Sequence, residues 1–130
     1  MPSLNGGGGS QTNNFAQIIQ VLKAVAERAG WGNKFPRGQG QGIAFHFCHR
    51  GYVAQVAEVT VSSAGKLKLD RVVVVTDIGA QIVNLSGAEN QVQGSVADGL
   101  GALMFQELNI ERGRVVQGNF DDYPMIRMPD

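Results

Sequence analysis

A single cysteine, Cys48, stands among 130 residues, so no internal disulfide staples this chain and its redox compartment stays open. An excess of charge of either sign is missing too. Lys plus Arg and Asp plus Glu both number 11, and no basic run occurs, which argues against a nucleic-acid partner needing clustered cations. No apolar run approaches the roughly 20 residues of a membrane span. No charged region followed by an apolar core opens the sequence, so no export signal is expected in these residues, and the compartment, cytoplasmic or periplasmic, is undetermined. A nucleophile elbow, a Cys–His pair with an orienting partner and an acidic coordinating loop are absent as well, leaving no visible catalytic apparatus.

What is present predicts an α+β domain. Residues 1–14 are small, polar and glycine-rich, and are expected to form a flexible tail or linker. Residues 15–130 are expected to form a single domain. Phe15, Ile18, Ile19, Leu22, Val25, Ala26 and Ala29 follow the spacing of an amphipathic helix. Asn13 or Asn14 is its expected cap, and Gly30 its end. Residues 32–42 read as a loop; their G-x-G-x-G spacing leads into a strand, so the helix end of a phosphate cradle is missing. Three strands are expected over 43–49, 52–61 and 67–76, with Gly65 turning the second hairpin. Val53, Ala57, Val59 and Val61 should share a face, and the apolar run Val72–Val75 suggests a central strand covered on both sides.

A long helix follows, opened by the Ser86-x-x-Glu89 pattern of a capping box. Val92, Val96, Leu100 and Leu103 form one face, and Gly87, Gly94 and Gly101 recur every seventh residue. Helical glycines cost on the order of 1 kcal/mol each, which a fold tolerates where a backbone or a ligand comes close. Close packing is the first reading and ligand approach the second. Segments 107–110 and 114–117 predict a closing hairpin around Glu111-Arg-Gly113. The tail from Asn119 has too much apolar content for a solvated terminus.

His46 and Cys48 share a strand face but lack the further ligands that zinc requires, and no metal site is expected. Asp121 and Asp122 diverge along an extended chain, while nothing marks Glu58 or Asp77. Asn90, Gln91 and Gln93 remain the best polar candidates, because amides both donate to and accept from a heteroatom-rich ring.

Several strings resemble a known family: Gly38-Gln-Gly-Gln-Gly-Ile-Ala44, Tyr52-Val-Ala-Gln-Val-Ala-Glu-Val59, Asp77-x-Gly79, Gln91-Val-Gln-Gly94 with Gly99-Leu100, and Asn119-Phe-Asp-Asp-Tyr-Pro124 followed by Ile126-Arg-Met128. They are similar to the molybdenum-binding large subunits of the xanthine dehydrogenase and aldehyde oxidase superfamily, and to its isoquinoline 1-oxidoreductase β-subunit branch. The resemblance spans about Ala24 to Met128. It implies hydroxylation of N-heterocycles or aldehydes at molybdenum carried by molybdopterin, with electrons passing to an iron–sulfur subunit. It also implies that Gln91 and Gly94 contact that cofactor.

The departures are informative. The family's Gly-x-Gly-Glu catalytic glutamate has no counterpart up to Asp130, so no catalytic residue is assigned. The upstream cofactor loops are absent. Asn84-Leu85 replaces Asn-Pro, an extra residue lies between Gly79 and Asn84, Gln93 stands in a usually acidic position, and Cys48-His49 replaces serine and an aromatic. The chain is therefore expected to be a fragment or module that adjoins the rest of a molybdenum subunit, inactive and without molybdopterin by itself. The alternative is a stand-alone, non-catalytic domain that oligomerises through apolar surface at Phe120, Tyr123, Met125 and Met128.

Overall fold

The computed structural model describes residues 15–127; the expected linker, the Asn13 or Asn14 cap and Met128 lie outside them. The order is α1 (Phe15–Ala29), β1 (Gln39–Cys48), β2 (Gly51–Val61), β3 (Leu67–Asp77), α2 (Leu85–Met104), β4 (Ile110–Glu111) and β5 (Arg114–Val115). An antiparallel three-stranded sheet and an antiparallel two-stranded sheet accompany the two helices. This is the α+β fold that the sequence predicts. The chain divides into two compact units between Ala80 and Gln81.

In the first unit α1 has neither glycine nor proline and lies across one face of the β1-β2-β3 meander. Its buried stripe is Val21, Val25 and Ala29, at spacings of four, with Ile18 and Leu22 beside it. The expected stripe is thus rotated: Phe15 is 76% exposed and Ile19 half exposed, whereas Val21, outside the expected set, is core. The helix ends in a Schellman motif. Gly30, at φ +63°, donates to the Glu27 carbonyl at 3.1 Å, and the Trp31 N–H to that of Ala26 at 2.8 Å.

Tyr52, Ala54 and Val56 of β2 face the helix and are buried. Phe45 and Phe47 of β1 and Val73 and Val75 of β3 pack around them, and the Phe47 and Tyr52 rings meet at 4.9 Å. Fully burying Val25 and Val56 contributes on the order of 2 kcal/mol each. Val53, Ala57, Val59 and Val61 therefore share a face as expected, but by strand alternation it is the one turned away from α1.

Two other expectations change. The central strand is β2, not β3, because consecutive hairpins put the middle strand in the middle; the Val72–Val75 run is apolar on both faces at an edge. And β1 begins at Gln39, inside the expected loop, with Gly40 and Gly42 paired to Val59 and Ala57. Gly38 alone of these glycines is required by geometry: its φ is +89°, and a Cβ there would sit 2.8 Å from the Val61 carbonyl oxygen.

A bulge interrupts the β2–β3 pairing. Val59 pairs with Leu69 but Glu58 with Arg71, leaving Asp70 as the extra residue. Asp70 accepts from Lys68 at 2.9 Å and from the Thr60 hydroxyl. One side chain from each strand then converges below the end of α1. Arg71 donates to Glu58 Oε1 at 2.6 Å and to the Ala29 carbonyl at 3.2 Å. Gln41 Nε2 donates to the same two oxygens at 2.9 and 2.8 Å.

In the second unit α2 is capped by Asn84, whose side chain accepts from the Gly87 N–H at 2.9 Å. Ser86 is inside the helix and the Ser86–Glu89 capping box does not form, because the third helical position belongs to Gly87. The closing hairpin turns on Arg112 and Gly113, both at positive φ, and its strands are two residues long. Beyond them the Val116 N–H donates to Asn109 and the Gln117 side chain accepts from the Asn109 N–H.

The β1–β2 turn places His49 at φ +49° and Arg50 at φ +66°, conformations that cost an L side chain roughly 1–2 kcal/mol each and that Asn-Gly adopts readily. Replacing His49→Asn together with Arg50→Gly should stabilise the chain by about 1 kcal/mol. Urea unfolding checks this: a raised midpoint at unchanged slope is expected, and a lowered midpoint would refute it.

Candidate functional site

Of the four glycines in α2, the three that recur every seventh residue have three different surroundings. At Gly87 a Cβ would press on the Asn84 cap at 3.0 Å. Gly101 is buried, and its Cβ would meet Ile126 at 3.3 Å, so there the packing reading holds. A Cβ at Gly94 would meet no atom of the described residues within 4 Å, and the same holds at Gly99. Packing among the described residues therefore gives no reason for either glycine.

Asn90, Gln91, Gln93 and Gly94 are all exposed on α2. Gln91 and Gly94 are three apart and share a helical face, with Asp98 one turn further along it. The Gln91 carbonyl accepts from the Ser95 hydroxyl at 2.7 Å, while no described group hydrogen-bonds its side-chain amide. The expected apolar face is real but shallow: Val92, Val96 and Leu100 are half-buried, and Leu103 is exposed.

The remaining candidates have structural partners. Asp122 closes the turn that follows Gln117, accepting from the Gly118 N–H at 2.8 Å and the Asn119 N–H at 2.9 Å. These two backbone donors hold its carboxyl below the ordinary aspartate range, with Asn119 the larger cause. Asp121 is exposed beside it. Asp77 accepts from the Gln17 amide and the Gly79 N–H, each at 3.4 Å. Glu58 is held below the usual carboxylate range first by Arg71 and then by Gln41. His46 is exposed, and Cys48 Sγ lies 2.8 Å from His49 Nδ1 in the β-turn. No group of three or more His, Cys, Asp or Glu that could hold a metal occurs among the described residues. Sequence reasoning missed Arg71 and Gln41, since only the strand register reveals that they flank Glu58.

The described residues thus present a helix–sheet unit followed by a helix with exposed amides near Gly94. The family follows from the comparison with known proteins: the molybdopterin cofactor-binding domain matches residues 6–130, and the chain belongs to that family. It is 29% identical over 112 residues to the isoquinoline 1-oxidoreductase subunit beta of Brevundimonas diminuta, a match that covers 83% of this chain and 14% of that protein. The chain thus spans about a seventh of that relative's length. No solved structure matches it significantly. No helix among the described residues is long and apolar enough to cross a membrane.

The Asp122 turn has a defined acid response. Folding lowers this pKa, so the turn's stabilisation is complete above the unfolded value of about 3.9 and is lost as pH falls through the lower folded value. The amide resonances of Gly118 and Asn119 should therefore move only below the ordinary aspartate range, and Asp122→Asn should remove that transition. A midpoint at or above the ordinary value would contradict the assignment.

Proposed function

We propose that the chain is a module of a molybdenum hydroxylase subunit that holds part of molybdopterin through Gln91 and Gly94. The observation carrying this reading is the exposed Gln91 amide, unbonded among the described residues, one turn before a glycine whose Cβ would meet nothing. These residues suit one wall of a pterin site. An amide can donate to and accept from the ring edge at once, and the missing side chain at Gly94 lets the ligand reach the helix. Molybdopterin, when bound, supplies the molybdenum at which N-heterocycles or aldehydes are hydroxylated. The chain itself orients the cofactor and contributes no proton-transfer group. In this reading residues 15–130 act as one α+β domain joined through 1–14, the catalytic base lies in the rest of the subunit, and an iron–sulfur subunit takes the electrons.

A second reading, a stand-alone domain that oligomerises, draws on the apolar tail, where Phe120 is 65% and Met125 43% exposed. Tyr123 fits it less well, being half-buried with its hydroxyl donating to Gln106 at 3.2 Å. An immunoblot of the source cells separates the two. A species several times larger than 13.9 kDa is expected, and a band at the size of this chain would exclude the module reading.

Two substitutions test the contact in the reconstituted complex. Gln91→Ala should deplete molybdenum without lowering the melting temperature. Gly94→Ala should stabilise α2 by up to about 1 kcal/mol while also lowering molybdenum content. Unchanged molybdenum in both variants would remove the ligand role.

A further inference from the structure

We infer that two copies of this chain associate edge to edge through antiparallel β3 strands, joining their three-stranded sheets into one. Among the described residues β3 has β2 on one side and no strand on the other. An outer strand offers its unpaired N–H and C=O groups to any strand that fits, and folds usually blunt such an edge with charge, proline or a bulge. From Val72 to Thr76 this edge has neither charge nor proline nor glycine. All of these residues are β-branched, the kind that packs best on a pleated surface, and all are half-buried. The Asp70 bulge lies outside the stretch.

Charge complementarity selects a second copy as the occupant. Directly opposed residues of an antiparallel pair share a face, so a two-fold pairing of β3 with itself must be centred on a residue. Centred on Val74, it sets Val73 against Val75, Val72 against Thr76 and Arg71 against Asp77. Centring on Val73 opposes Arg71 to Val75 and Asp77 to Leu69, and centring on Val75 opposes Asp77 to Val73. Centring on Val72 opposes Arg71 to Val73 and the bulged Asp70 to Val74. Only the Val74 register matches valine with a β-branched residue and cation with anion, and the two-fold axis makes each of these pairs twice. Arg71 and Asp77 both face α1, where Arg71 donates to the Ala29 carbonyl and Asp77 accepts from Gln17. Each has capacity to spare. Arg71 makes both of its described bonds through Nη2, and a guanidinium has further donors. Asp77 holds its two donors at 3.4 Å, long for a charged acceptor. The edge belongs to the first unit alone, so this proposal stands or falls independently of Gln91.

Sedimentation of the full chain at rising protein concentration should show the monomer passing to a dimer. Val74→Lys sets two like charges face to face on the axis and should abolish the dimer, while the amide resonances of Val25 and Val56 stay in place. Disulfide trapping in the Cys48→Ser background reads the register, because directly opposed Cα atoms lie about 4.5–5.5 Å apart, within disulfide reach. Val74→Cys should trap a dimer by itself. Val72→Cys and Thr76→Cys should trap one only when the two variants are mixed. A monomer at every concentration overturns the proposal and leaves the edge to a strand of another chain. A dimer unaffected by Val74→Lys, or self-trapping by Val72→Cys in place of Val74→Cys, overturns it as well.

Discussion

The first unit depends on one carbonyl oxygen. Ala29 ends α1, where carbonyls lose their intrahelical donors and the helix dipole is negative. Arg71 and Gln41 both donate to that oxygen and both also grip Glu58. Because Gln41, Glu58 and Arg71 stand opposite one another on β1, β2 and β3, a single row across the sheet is tied to the end of the helix. The hydrophobic stripe of Val21, Val25 and Ala29 brings helix and sheet together. It is nondirectional, and the polar row at Ala29 defines where along the sheet the helix stops.

Much of the fold was legible because its signals were local. The three-four spacing located α1, Gly30 and Gly65 marked their turns, and alternation marked the strands. What was not legible depended on tertiary contact. Val21 and Ile19 are both aliphatic, and only the sheet decides which of them it covers. The two central residues of the β1–β2 turn are neither Asn nor Gly, so His49 and Arg50 carried no turn signature. Asn84 outcompeted Ser86 as a cap because its side chain reaches the N–H of Gly87.

The candidate site was legible in a different way. The resemblance selected Gln91 and Gly94, and physical reasoning about glycines in helices offered packing instead. The surroundings separate these explanations residue by residue: a Cβ would meet Ile126 at Gly101, the Asn84 cap at Gly87, and none of the described residues at Gly94. Two other strings behind the resemblance have architectural content, since they contain Gln41 and Glu58. The Asn-Phe-Asp-Asp-Tyr string likewise builds a backbone turn around the Asp122 carboxylate.

The bulge at Asp70 turns the four consecutive valines into an ambiguity that charge must resolve. Counting on from the Val59–Leu69 pair without the bulge would set Glu58 against Asp70 and present Val72 and Val74 to α1 in place of Val73 and Val75. To the hydrophobic core those two alignments are nearly degenerate, valine replacing valine at each step, although a one-residue slip inverts a strand. They differ at the ends: one opposes two carboxylates, and the other seats a guanidinium on a carboxylate and on a helix terminus. Selection between frames therefore falls to the ionic pair, which also settles on which side of the sheet Asp77 leaves β3.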